Sequence, residues 1–185
     1  MIKDLLKDAE HRMRGAIKTL NDDLASIRTG RANPALVERL QVNYYDSPTP
    51  LNQLASISVP EPRSLMIKPF DAGVLRDIEK AIQASDLGLT PNSDGKVIHL
   101  NLPPLTEERR RDLVKLVHTR LEDARVVIRN IRRDSHNDMR EFEKEKLISE
   151  DDLKGGEEDL QKLTDKLIDD VADLGRKKEA EILEV

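Results

Sequence analysis

The sequence predicts an α+β fold: an elongated antiparallel three-helix bundle with an inserted small α/β domain on a two-strand hinge. Three observations predict it. Apolar residues recur at steps of three and four through residues 1–29, 105–147 and from Ser149 onward; the period falls to two between residues 35 and 102; and proline or glycine marks each change. The bundle is expected at residues 1–30 and 105–185, and the inserted domain at 31–104.

In chain order, Ile2, Leu6, Ala9, Met13, Ile17, Leu20, Leu24 and Ile27 form the first helical seam. Gly30 and the Ala32-Asn33-Pro34 segment end it, because proline disfavours helical geometry in the residue before it. Alternation then takes over at Leu40/Val42/Tyr44, Ala55/Ile57/Val59, Leu65/Ile67 and Ile98/Leu100/Leu102, each a strand candidate. A short helix with Leu75, Ile78, Ala81 and Ile82 on one side separates the last two. Leu102, Pro103, Pro104 and Leu105 close the unit, and Thr106 can cap a helix whose first turn holds Glu107 and Glu108. That helix carries Leu113, Val117, Leu121, Ala124, Ile128 and Ile131 on one face. Ser149-Glu-Asp-Asp152 resembles a capping box, so the second and third helices should form a tight hairpin, the third with Leu153, Leu160, Leu163, Leu167, Val171 and Leu174 as its seam. Gly155-Gly156, early in that helix, should cost about 2 kcal/mol relative to two alanines, and nothing in the sequence explains it.

Each amphipathic helix needs the others to bury its stripe, hence a bundle. The two links, Gly30 to Pro34 and Leu102 to Leu105, lead to an expectation of relative rotation between the domains.

Charge narrows the function. The chain carries a net −5, with 36% charged residues and only 2% aromatic. Residues 109–140 hold ten Lys/Arg against five Asp/Glu, a local +5, whereas 141–185 hold eight against sixteen, a local −8. Such segregation suits one face for polyanions and another that repels them. Arg125, Arg129, Arg132, His136 and Arg140 recur in helical phase beside the apolar stripe, Arg133 adjoins them, and Arg28 and Arg31 stand at the end of the first helix. Their planar, permanently charged forks match phosphate oxygens. Antiparallel or parallel packing could bring both sets onto one end or side, a choice the sequence leaves open. A solvated helix face is the plainer reading; the local charge and the preference for arginine over lysine argue against it.

Other chemistry has little support. There is no cysteine, so neither a disulfide nor a thiolate nucleophile is available. His11, His99, His118 and His136 are scattered without metal-ligand spacing, and no metal site is expected. No phosphate-binding glycine loop and no serine nucleophile motif occurs, so no enzyme activity, cofactor or small-molecule substrate is expected. No run of about 18 apolar residues suggests a membrane span. A soluble, cytoplasmic chain that binds no membrane is expected.

Particular segments then resemble a known family. Ile27-Arg-Thr-Gly-Arg-Ala-Asn-Pro34, Tyr44-Tyr45, Ser85-Asp-Leu-Gly-Leu89, Leu102-Pro-Pro-Leu-Thr-Glu-Glu-Arg-Arg110, Val127-Ile-Arg-Asn-Ile-Arg-Arg133 and Gln161-Lys-Leu-Thr-Asp165 are similar to those of ribosome recycling factors, in order and over essentially the whole chain. The resemblance implies a three-helix bundle with an inserted domain in a tRNA-like outline. It also implies a monomer that binds the post-termination ribosome and, with elongation factor G and GTP, separates the subunits. By motif, the family's contacts to large-subunit rRNA fall on Arg28, Gly30, Arg31, Arg129, Arg132 and Arg133. Its hinge falls on Gly30, Ala32, Asn33 and Pro34, and on Leu102, Pro103, Pro104 and Leu105. The family usually has glycine after the paired tyrosines, where this chain has Asp46. Aspartate enters the left-handed region at modest cost, so the hairpin is expected to form with altered strain.

Overall fold

The computed structural model describes residues 1–184, in two compact units: residues 1–24 with 114–180, and residues 25–113 with 181–184. In chain order the elements are α1 (Ile2–Ser26), β1 (Gln41–Tyr44), β2 (Ser47–Pro50), α2 (Leu51–Leu54), β3 (Ala55–Glu61), β4 (Ser64–Pro69), α3 (Leu75–Ala84), β5 (Pro91–Ser93), β6 (Ile98–Asn101), α4 (Glu107–Lys144) and α5 (Glu150–Leu183).

The first unit is helical. Its core is drawn from the predicted seams: Ala9, Met13, Leu20 and Leu24 of α1, Val117, Leu121, Ala124, Ile128 and Ile131 of α4, and Leu160, Leu167 and Val171 of α5 are all buried. Arg12 lies 3.6 Å from Asp134, and eleven residues further along α1 Asp23 lines a cleft with Arg120 and Asp123, so α1 runs antiparallel to α4. His118 pairs with Glu179 and, eighteen residues further along α4, His136 lies 2.8 Å from Glu157, so α5 is antiparallel to α4 as well.

Local chemistry fixes the helix ends. The Arg109 amide donates to Thr106 Oγ1 at 3.1 Å and starts α4. At its other end Lys146 adopts φ 61°, and the Lys146 and Leu147 amides, at 2.9 Å each, donate to Glu143 and Phe142 oxygens. That pair of bonds is a Schellman motif, here with lysine in the place usually held by glycine. Across the hairpin, Asp152 N donates to Ser149 Oγ (3.0 Å) and Ser149 N to Asp152 Oδ2 (3.1 Å), a reciprocal capping box. Hydrogen bonds to the carboxyl from the Ser149 hydroxyl and, next, from the Ser149 amide hold Asp152 below the ordinary aspartate range.

One expected boundary moves. Periodicity carries the first helix to residue 29, yet α1 stops at Ser26. Ile27, Thr29 and Gly30 are buried and the Arg28 guanidinium donates to the Leu87 carbonyl at 2.9 Å, so contacts made by the second unit override continued helix.

The second unit holds a four-stranded antiparallel sheet in the order β3-β4-β6-β5 and a separate β1–β2 hairpin. Leu65, Ile67, Ile98 and Leu100 of the sheet form one buried cluster with Leu75, Ile78 and Ile82 of α3. Strands β2 and β5 carry no alternating apolar residues, and only pairing reveals them: Tyr44 opposes Ser47, and Asn92 opposes His99. Both residues of the β1–β2 turn have positive φ, 47° at Tyr45 and 62° at Asp46, so the hairpin closes without glycine. Each predicted link is fastened to the β3–β4 turn: Ala32 N donates to Pro62 O at 2.7 Å and Leu102 N to Arg63 O at 2.8 Å.

Gly156 acquires a physical reason in this packing. A Cβ there would stand 3.1 Å from both Ile2 Cδ1 and Met139 Sδ, so the bare backbone admits one side chain from each neighbouring helix. Gly155 faces open space, and nothing in the structure requires it. Gly155→Ala should therefore stabilise the fold by about 0.5–1 kcal/mol, and Gly156→Leu should destabilise it by about 1–3 kcal/mol, both read from urea midpoints.

Candidate nucleic-acid interface

The middle of α4 presents cations because its period is locked by burial. With Leu121, Ala124, Ile128 and Ile131 inward, the 100° step per residue puts Arg125, Arg129, Arg132 and Arg133 along one flank. Arg129 Nη2 is 3.1 Å from Glu122 Oε1, and Arg125 Nη1 is 3.5 Å from the other oxygen of the same carboxylate. Arg133 donates to the neutral Asn130 Oδ1 at 3.2 Å. Arg132 is half-buried, and no ion pair engages it among the described residues. His136, one turn further on, is held by Glu157. Of these four guanidinium groups two share one carboxylate and two have no acidic partner among the described residues, and exposed pairs of this kind are worth at most about 1 kcal/mol. The ridge keeps its charge available to an incoming anion.

In the second unit, Arg28 is half-buried: Nη1 donates to Leu87 O at 2.9 Å while Nε is buried without a partner. Its neighbour Gly30 is buried. Arg31 remains exposed, with Nη1 3.8 Å from a Glu184 oxygen. Arg28 therefore divides its donors between a backbone carbonyl and unused capacity, whereas Arg31 projects.

Sequence reasoning passed over Arg110, which shares the unit with Arg28 and likewise has a buried, unpartnered Nε. A signal existed. Arg110 precedes Leu113 and Val117 by three and seven residues, so a cation stands in phase with the apolar seam, where desolvation demands a reason.

Among the described residues, no group of His, Asp or Glu is placed to hold a metal ion, and no helix is long and apolar enough to cross a membrane.

Fold and ridge together define an arginine-presenting α+β protein made of a helical bundle and a small antiparallel-sheet unit. Comparison with known proteins sharpens this class. Residues 20–183 match the family model for ribosome recycling factor. The ribosome-recycling factor of Syntrophomonas wolfei is 56% identical and that of Halalkalibacterium halodurans 55%, each over all 185 residues and the full length of both chains. Among solved structures, a solution structure of a ribosome recycling factor matches with TM-score 0.80 and 46% identity, covering 100% of this chain and 98% of that one. Another match, with TM-score 0.71 and 45% identity over 99% of each chain, is the T. thermophilus ribosome recycling factor, described with E. coli elongation factor G bound to the E. coli post-termination complex. The chain belongs to the ribosome recycling factor family.

Because Glu122 is the carboxylate shared by Arg125 and Arg129, Glu122→Gln should free both forks. Affinity for ribosomes at low salt should rise roughly two- to fivefold, measured by co-sedimentation.

Proposed function

We propose that this protein recycles ribosomes: it binds the post-termination ribosome in the cytoplasm and, with elongation factor G and its GTP, separates the subunits and frees them from mRNA. The observation that carries this reading is the full-length likeness to a factor bound, with elongation factor G, to a post-termination complex. In this reading Arg129, Arg132 and Arg133 on the ridge, with Arg28, Gly30 and Arg31 in the second unit, meet phosphates of large-subunit rRNA. The protein performs no bond chemistry; it is a lever and wedge, and nucleotide hydrolysis belongs to its partner.

The domain division at 1–30 with 105–185 and at 31–104, and the hinge between them, are part of the proposal. Ala32 and Leu102 are stapled to the β3–β4 turn, so those two positions move with the sheet. Rotation would then fall on the torsions before Ala32 and after Leu102, chiefly at Gly30, Arg31, Pro103, Pro104 and Leu105, with Asn33 and Pro34 as a rigid abutment. Asn33 supports that role: its Oδ1 accepts the Ala35 amide at 3.0 Å and caps the 3-10 turn Pro34–Leu36.

If four or five arginines neutralise phosphates, affinity for ribosomes should fall by about two decades between 50 and 200 mM salt. Arg132→Ala should weaken binding and reduce that slope by about one while leaving circular dichroism unchanged. Ribosome sedimentation across a salt series reads both; a binding curve indifferent to salt and to this substitution would refute the rRNA contact. The chain has no native cysteine, so a disulfide engineered across the two links is unambiguous. The oxidised form should bind ribosomes normally yet fail to split subunits in light scattering, and full splitting activity would refute the hinge.

A further inference from the structure

Three of the four aromatic residues, Tyr44, Tyr45 and Phe70, lie in the second unit; Tyr44 is half-buried against its core, and the other two are exposed. Phe70 is 72% exposed and Tyr45 79%. The Phe70 amide donates to Leu54 O at 3.0 Å, and the Tyr45 ring meets Tyr44 edge-on with centroids 4.6 Å apart. Tyr44 and Phe70 line a cleft of about 260 Å³ together with Thr49, Gln53, Leu54 and Asp71. Asp71 Oδ1 accepts the Gly73 amide at 2.9 Å; the other oxygen makes no hydrogen bond, and no ion pair engages the carboxylate among the described residues. No lysine, arginine or histidine lines the cleft.

Two electron-rich rings beside a carboxylate that lacks a counterion, with amide and hydroxyl oxygens at the rim, form a receptor for a protonated side chain. A cation gains from the ring faces and from the carboxylate at once, and the planar guanidinium also stacks on rings. Nucleic acid fits poorly. Its phosphates would approach Asp71, and Asp46 on the adjoining hairpin turn adds a second negative charge.

We propose that this cleft is a docking site for an arginine side chain on a basic protein segment, a contact separate from the arginine ridge of α4. The second unit would thereby hold a cationic protein partner while the bundle unit addresses phosphates. The two surfaces carry opposite charge preferences and do not compete for the same ligand.

The test uses the full-length chain and a blocked Gly-Gly-Arg-Gly-Gly peptide, followed by amide chemical shifts. Shifts at Tyr44, Phe70, Asp71 and their neighbours should saturate with a dissociation constant on the order of millimolar, as one side chain warrants. The same peptide with citrulline, which keeps the shape and loses the charge, should produce none. Asp71→Asn keeps the oxygen that accepts the Gly73 amide, and it should weaken binding roughly five- to tenfold, with a similar loss for Phe70→Leu at its exposed position. Equal shifts with arginine and citrulline, no shift at the cleft, undiminished affinity in both variants, or tighter occupation of the cleft by an oligouridylate would each overturn the proposal. All of these outcomes leave ribosome recycling by the α4 ridge standing, because that reading is measured by sedimentation and its salt slope.

Discussion

The structure depends on the burial of one apolar stripe along α4. Leu113, Val117, Leu121, Ala124, Ile128 and Ile131 are all less than a tenth exposed, and each leucine, isoleucine or valine among them contributes about 1.5–3 kcal/mol when removed from water. The sum fixes the helix's rotation about its own axis. Once that rotation is set, Arg125, Arg129, Arg132 and Arg133 have one direction left to point. The arginine ridge is in this sense a by-product of the core, and a cation one residue out of phase would fall on a different face.

The backbone exceptions show how the same burial is accommodated. Gly156 gives up helix propensity so that Ile2 and Met139 can approach a bare backbone. Gly175 does the same against Leu121, further along α5. Lys146 and Asp46 sit in the left-handed region without being glycine, one closing α4 and the other closing a hairpin. Each of these positions costs on the order of 1 kcal/mol locally. The helix hairpin and the β1–β2 turn are held by their flanking bonds, so the local strain is tolerated.

Electrostatics divides the surface in a way that suits a protein working among polyanions. Glu122 is the single acid engaging the middle ridge, and histidines 118 and 136 tie α4 to α5 through Glu179 and Glu157. Acids are concentrated on α5, where Asp152 and its neighbours also complement a helix N-terminus. The exposed rings, Tyr45 and Phe70, lie in the sheet unit, Phe70 beside an aspartate with no cation among the described residues. Each kind of partner chemistry has its own place.

Much of the architecture was legible in the chain alone. Three- and four-residue apolar spacing determined the long helices, Thr106 and Ser149 announced their starts, and period-two alternation marked β1, β3, β4 and β6, because these are local properties of a residue and its near neighbours. Ordered motifs across the chain were enough to indicate the family. Tertiary structure alone decided what depends on residues far apart in sequence. The end of α1 at Ser26 follows from Arg28 reaching Leu87; strands β2 and β5 exist only through their pairing partners; Gly156 makes sense only beside Ile2 and Met139; and the direction of α1 against α4 is visible in Arg12 meeting Asp134 while Asp23 lies in a cleft with Arg120. Spacing encodes which face of an element is apolar, whereas what that face meets is set by the free energy of packing the whole chain.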